Sequence, residues 1–436
     1  MKLGIAMSWL VVSVSSASMA LAGDWPSILG PERDGRSPET GIVTQWPAAG
    51  PQLIWSRDLG EGYSMPAIVG GRLYQFDRVA DETRLVCLDA AKGRELWRAM
   101  APTGYSDYYG YSNGPRASPV VDGERVITFG VDGQLRAHAA EDGRELWHVD
   151  VHERYGVVQI FFGVGSTPVV EKGLLLVMVG GSPVGSPEIH SGSVIGDGKA
   201  IVAFDPATGR ERWRFGDELA SYSSLVVAAL GGQRTGLAFL RGGLVGFDPV
   251  RGVERFHYPW RARRLQSVNA ATPLVVGDEV FITESYGPGA SLVRVTRAGH
   301  ELVWRDPPGR VRSIASHWST PVVHEGHLYG SSGEKTGAAE LRCVEWATGR
   351  VRWQQPALAR TTQLYVDGHI VVFTEYGELL LIEADPTAFH LVARATPVDE
   401  RGRKLLSYPA WSPPALADGL LYLLGGNRLA ALRLIP

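Results

Sequence analysis

A ten-residue phrase recurs along this chain. It runs Leu88 to Trp97 and returns at His138 to Trp147, Phe204 to Trp213, Phe247 to Phe256 and Val344 to Trp353, with a weaker copy ending at Val303-Trp304 after Gly299. Each copy reads apolar strand, Asp- or Thr-Gly turn, then a strand ending in an aromatic residue, which is a β-hairpin with a buried ring. A second phrase precedes the copies: Ser or Thr with Pro, two or three apolar residues, then Gly. It stands at Ser64-Met65-Pro66, Ser118-Pro119, Ser166-Thr167-Pro168, Thr272-Pro273, Thr320-Pro321 and Trp411-Ser412-Pro413. A head hairpin followed by a tail hairpin makes a unit of four strands.

With degenerate heads near Ser223 and Thr361 the units number eight, and the turn glycines 93, 143, 209, 252, 299 and 349 lie 50, 66, 43, 47 and 50 residues apart. That period, carried on short β-rich runs such as Leu379-Leu380-Leu381-Ile382, predicts an all-β, eight-bladed β-propeller of four-stranded antiparallel blades. The eighth head reaches only a third strand, Leu429 to Leu434, before Pro436. Near the other end, Gln52-Leu53-Ile54-Trp55-Ser56 has tail-strand character and no head. It is expected to complete blade eight and so remove the open edges of the ring.

Residues 1–22, with Lys2, an apolar stretch and Ala20-Leu21-Ala22, read as a cleavable signal peptide, which places the protein in the periplasm or outside the cell. Residues 23–51 read as an arm, anchored across one face by Trp25 and Trp46, and 52–436 as the propeller. No segment carries the 18 or so apolar residues of a membrane span. The net charge of −3 gives no sign of a nucleic-acid partner, and a monomer is expected. Cys87 and Cys343 occupy equivalent tail positions in blades one and six, too far apart for a disulfide, and read as buried thiols.

The tail phrase, seen best in Val202-Ala203-Phe204-Asp205-Pro206-Ala207-Thr208-Gly209-Arg210-Glu211-Arg212-Trp213, resembles the docking motif of quinoprotein propellers over roughly residues 52 to 436. The resemblance implies the pyrroloquinoline-quinone (PQQ)-like eight-bladed fold. For enzymes of that family it would also imply PQQ in the channel with calcium, an Asp base, adjacent half-cystines and sometimes a Cys-x-x-Cys-His haem site. The adjacent cysteines and haem motif are missing here, and no local set of Asp, Glu and Asn offers calcium ligands. No cofactor is therefore expected, and a PQQ-dependent oxidoreductase acting on alcohols or sugars is the alternative. The chain is also, more distantly, similar to the propeller component of the outer-membrane β-barrel assembly machinery, which would imply protein binding in the cell envelope.

Catalytic and metal signatures are weak. His324-Glu325-Gly326-His327 falls on a head-hairpin turn, Gly163-Val164-Gly165 leads into a strand rather than a helix, and Ser221-Tyr222-Ser223-Ser224 lacks a nucleophile elbow. No catalytic residue and no metal ligand is assigned. The connections between blades carry more signal, because they open on one face around the channel. Three of them hold Arg261, Arg263, Arg264, Arg305, Arg310, Arg312, Arg401, Arg403 and Lys404 against Asp306, Asp399 and Glu400. That excess suits an anionic partner. Tyr105, Tyr108, Tyr109 and Tyr111 lie near Arg116, and Asn269, His317 and Trp411 precede inner strands. The candidate ligand-binding residues are thus Tyr109, Arg116, Arg263, Arg264, Asn269, Arg310, Arg312, His317 and Trp411. The sequence reads as a non-enzymatic binding or scaffold propeller that recognises a protein or an anionic small molecule on the channel face. The Gly180 to Gly198 insert is expected to project from the rim.

Overall fold

The computed structural model describes residues 23–157, 161–183, 186, 194–265, 267–309 and 311–436. The expected signal peptide, Arg310 and, within the Gly180–Gly198 insert, residues 184–185 and 187–193 lie outside the described residues. Strand β1 is Gln52–Asp58. Blade one follows as β2 (Ala67–Val69), β3 (Arg72–Val79), β4 (Glu82–Asp89) and β5 (Glu95–Pro102). Blades two to seven take β6–β9 (120–150), β10–β13 (169–215), β14–β17 (226–259), β18–β21 (274–305), β22–β25 (322–356) and β26–β29 (361–395). Blade eight takes β30 (Ala415–Ala417), β31 (Leu420–Gly425) and β32 (Arg428–Arg433), and β1 is its outer strand, running from Gln52 opposite Arg433 to Asp58 opposite Arg428. All eight sheets are four-stranded and antiparallel. The only described α-helix, Val151–Tyr155, links blades two and three.

The repeated phrase works as a joint. The outer strand pair of every blade carries one register shift, at Cys87/Leu88 in blade one and at the corresponding place in the other seven. Such a bulge twists the strand and re-aims the side chain beside it. In blade one that side chain is Trp97, paired across the ladder with Cys87; Trp147 faces Ala137 and Trp353 faces Cys343. Both cysteines are therefore small fillers opposite an indole, fully buried and unbridged. Burial pushes the Cys87 thiol up to about 11 and the Cys343 thiol up to about 12, so both stay protonated and unreactive.

Each indole then reaches the next blade. Trp55 Nε1 donates to Ala90 O (2.9 Å), Trp97 Nε1 to Ala140 O (3.1 Å) and Trp304 Nε1 to Trp346 O (2.7 Å). The turn glycine of the receiving blade lies flat under the ring. A Cβ on Gly143 would sit 2.4 Å from Trp97, and its φ of 78° independently favours glycine. In the equivalent turn of blade one, Asp89 accepts from Lys92 N (3.0 Å).

Residues 24 to 43 cross the face that carries the inner hairpin turns. Trp25, 1% exposed, pairs with Ile68 of blade one, while Val121 N of blade two donates to Pro26 O (3.2 Å). On the other side Ser37 N donates to Tyr365 O of blade seven (2.9 Å), and Gly419 N of blade eight to Glu39 Oε2 (2.7 Å). Trp46 is only half-buried and donates to Val43 O (2.7 Å). The arm closes this end of the channel.

Candidate functional site

The channel wall is built by the second phrase. Its hydroxyls tie the heads of blades one to six in succession: Met65 N donates to Ser118 Oγ (3.2 Å), Ser118 N to Thr167 Oγ1 (3.0 Å), Thr167 N to Ser224 Oγ (3.2 Å), Ser224 N to Thr272 Oγ1 (3.2 Å) and Thr272 N to Thr320 Oγ1 (2.9 Å). The recurrent Ser and Thr thus satisfy backbone donors that an isolated three-residue strand would leave buried without a partner.

Above this girdle lies a cavity of about 370 Å³, floored by Ile28 and Leu29 of the arm and ringed by aromatic residues from the inter-blade connections. The ring contacts run Tyr222–Phe162 (5.6 Å), Phe162–Tyr111 (5.8 Å), Tyr111–Trp411 (5.8 Å), Trp411–Trp318 (5.2 Å), Trp318–His317 (5.3 Å) and His317–Tyr286 (5.4 Å). These tilted and edge contacts suit the ring quadrupoles. Tyr63 leans on Trp411 at 5.0 Å.

Two arginines are clamped in this belt by the same device. Arg360 lies over Trp318 (4.4 Å) and Trp411 (5.3 Å) and donates twice to Glu375, with Nη2 to Oε2 at 2.7 Å. Arg116 lies 5.7 Å from both Tyr63 and Phe162 and pairs with Asp107 at 3.1 Å. The side chains of both acids have no exposed surface. Burial pushes the Glu375 carboxyl up, but the Arg360 guanidinium and the Trp411 indole N–H (3.1 Å) outweigh it and hold the group below the usual carboxylate range.

Arg360 also fixes His317. Its Nη1 lies 3.2 Å from His317 Nδ1, and a guanidinium can only donate, so Nδ1 accepts and the ring proton sits on Nε2, 2.8 Å from Tyr286 Oη. Burial and the neighbouring Arg360 lower the imidazole to about 4. His317 is therefore neutral at pH 7, and because it donates to Tyr286 Oη, the tyrosine hydroxyl proton is left to point elsewhere.

The expected site residues separate into two groups. Arg116, His317 and Trp411 line the cavity together. Tyr109 stands at its edge, 43% exposed and 5.5 Å from Phe162. Arg264 is ion-paired with Glu334 (3.2 Å), a cavity residue, whereas Arg263 is exposed. Arg312 donates to the carbonyls of Gly287 and Pro307 and fastens a loop. Asn269, 1% exposed, donates to Leu240 O (2.7 Å) and Trp260 O (3.3 Å) beneath the cavity. Arg360 and Glu375, central to the belt, were not among the sequence candidates. A signal for the acid exists, since Ile282-Thr283-Glu284 and Phe373-Thr374-Glu375 both place a Glu directly after an apolar strand, and both are buried.

The carboxylates around the mouth do not fit a calcium ion. Asp107 and Glu375 serve arginines, Glu334 serves Arg264, and Glu284 accepts from the backbone of Tyr286 (2.7 Å) and Gly287 (2.9 Å). Arg360 covers one face of Trp318 and one of Trp411. Among the described residues one cluster has metal-ligand composition, Glu383, Asp385 and His390, and it lies on the outer hairpin of blade seven, away from the channel.

Known proteins share this architecture. A quinohemoprotein alcohol dehydrogenase from Comamonas testosteroni superposes with a TM-score of 0.64 at 13% identity, over 94% of this chain and 80% of the other. The alcohol dehydrogenase ADHIIG from Pseudomonas putida HK5 gives 0.65 at 14% identity, over 95% and 80%. BamB from Moraxella catarrhalis gives 0.58 at 13% identity, over 88% and 97%. At such identities these likenesses establish the fold alone. No curated protein matches the chain. The family model described as outer membrane protein assembly factor BamB matches residues 39–197 and 166–355, and the chain belongs to that family.

Proposed function

We propose that this protein is an exported, non-enzymatic binding propeller that takes a ligand, from a partner protein or a small molecule, into the aromatic mouth of its channel. The observation that carries this reading is the double clamp. Arg116 and Arg360 are each held between two aromatic rings and neutralised by a buried acid, which preorganises a rigid, amphipathic surface around a blind cavity. The neutral His317 with both nitrogens engaged, and the carboxylates held by donors, support binding over proton transfer at pH 7. The description of the family as an outer membrane assembly factor supports a protein partner in the cell envelope.

The discriminating experiment is titration calorimetry of the purified protein with PQQ and Ca²⁺, followed by dye-linked alcohol oxidation. Neither saturable heat nor turnover is expected, and tight binding with turnover replaces this reading by the oxidoreductase. A photo-crosslinking residue in place of Tyr109 is expected to capture a partner in intact cells, and Trp411→Ala is expected to abolish the crosslink. Retention of the crosslink in that variant counts against the mouth as the docking surface.

A further inference from the structure

Below the belt, the arm brings a charge into the channel. Leu29 and Arg33 both adopt left-handed backbone (φ 63° and 60°), and Gly35 N donates to Leu29 O (3.0 Å), so residues 29 to 35 form a tight loop. Non-glycine residues rarely hold that conformation, and two within one short loop cost about 1–3 kcal/mol each unless the surroundings enforce them. The loop aims Arg33 at the inner wall of blade three, where Nη1 donates to Pro168 O at 3.3 Å. Pro168 directly follows Thr167, a member of the hydroxyl girdle. That one bond is all the guanidinium makes among the described residues. Asp34, next in the chain, turns its carboxylate to Arg36 N (3.1 Å), and Glu32 is exposed. Three arginines at the mouth contrast with it, since Arg116, Arg264 and Arg360 each have an acid, whereas Arg241 and Arg312, like Arg33, donate to backbone carbonyls.

The girdle supplies complementary donors. Ser118, Thr167, Ser224, Thr272 and Thr320 each use the hydroxyl oxygen to accept from the preceding blade, and no hydrogen bond given by these hydroxyls occurs among the described residues. Ser64 and Ser166 beside them have buried Oγ atoms without any partner. Ser224, Thr272 and Thr320 line the same cavity that Ile28 and Leu29 floor, so the O–H groups and the arm meet in one space. A part-buried cation with no acid beside it is poorly compensated, and hydroxyls that already accept from a backbone N–H still have an O–H to give to an anion.

We propose that the floor of the channel is an anion site, in which Arg33 and the girdle hydroxyls receive a carboxylate or phosphate group whose body rests in the aromatic belt. This rests on the reading of the mouth as a binding cavity and adds the chemistry of the ligand. Burial lowers the Arg33 guanidinium to about 10, which leaves it charged at pH 7 and poorly solvated. An incoming anion replaces solvation that the channel withholds.

The test uses inorganic phosphate, acetate and phenyl phosphate on the full mature protein at low ionic strength, read by calorimetry and by thermal midpoint. Inorganic phosphate or acetate is expected to bind at one site and raise the midpoint. Arg33→Gln is expected to lose at least tenfold in affinity for that anion and, in anion-free buffer, to melt no lower than the wild type, since it removes an unpaired charge. Arg33→Lys, which keeps the charge without the fork, is expected to fall between the two. Phenyl phosphate is expected to bind more tightly than inorganic phosphate, with the excess lost in Trp411→Ala. Binding of phenyl phosphate that depends on Trp411 but not on Arg33 overturns the anion site and leaves the mouth reading intact. Inorganic phosphate binding that depends on Arg33 alone, with no gain from the phenyl group, does the reverse. Absence of binding by all three anions, or an unchanged affinity in Arg33→Gln, overturns the inference.

Discussion

The rim and the mouth of this propeller use the same residue types in opposite ways. At the rim, Trp55, Trp97 and Trp304 each stand opposite a bulge and over a glycine of the next blade. At the mouth, Trp318 and Trp411 touch each other, clamp Arg360, and have no counterparts in the other connections. Arginine divides similarly: on the outer strands Arg98 and Arg136 reach surface glutamates, whereas Arg360 and Arg116 sit on buried acids. In a repeat protein the positions that recur hold the blades together. Those that occur once are left over for recognition.

The largest effect expected from breaking this division comes from removing β1. Deletion of residues 52–58 opens the outer edge of β32 and takes Trp55 from its place over Gly93, and the chain is expected to lose its cooperative thermal transition, followed by far-UV circular dichroism. A cooperative melt at the wild-type temperature shows that the ring tolerates an open joint. Next come single substitutions of comparable size in each region. Gly143→Val drives a branched side chain into Trp97 at positive φ and is expected to cost about 3 kcal/mol in denaturant unfolding. Glu375→Gln strands the Arg360 guanidinium at a similar cost of about 3 kcal/mol, but with a pH signature the rim variant lacks. The Glu375 carboxyl titrates below its ordinary value in the folded state. Its stabilisation is therefore complete above the unfolded carboxylate range near about 4.3 and fades as the pH falls through the folded value, so wild type and Glu375→Gln converge in acid.

A smaller pH effect comes from two buried histidines. Burial lowers His138 to about 4, and burial with Arg360 lowers His317 to about 4. Between the unfolded value near about 6.5 and pH 4 the unfolded chain takes up protons that the folded chain refuses, so stability declines as the pH falls through that window, by on the order of 2 kcal/mol per histidine. His317→Gln is expected to flatten the slope of thermal midpoint against pH, and an unchanged slope argues against a neutral, engaged imidazole. The smallest effect is reserved for the rim cluster: His390→Ala, at an exposed pair of carboxylates, is expected to shift stability by less than about 0.5 kcal/mol.

The fold was legible because its joints are written as spaced repeats. The Asp-x-x-x-Gly turn and the tryptophan that follows locate the bulged outer pair in blades one and three, and the Ser/Thr-Pro heads locate the inner strands. The site was legible only where a residue stands next to a head, as Arg116, His317 and Trp411 do. Arg360 stands beside the degenerate head at Thr361, and Glu375 follows the next strand, 15 residues later, so nothing in the linear spacing joins them; folding does, by pairing those two strands of one blade. The loop arginines were legible as charges but not as contacts. Charge density along the chain does not reveal which guanidiniums meet an acid or a carbonyl, and Arg264 and Arg312 do.

The pairing of Gln52 with Arg433 also sets an order of events. A ribosome delivers β1 first and β32 last, so the earliest strand made is the one that must wait longest for its neighbour. Seven blades can assemble from contacts between adjacent segments, while the eighth requires a closure spanning nearly the whole polypeptide, the kind of contact that slows folding most. During that interval the lone strand and the unfinished sheet are complementary to those of any other molecule at the same stage. The interval is also when two chains can trade first strands, and a swapped dimer would be its product.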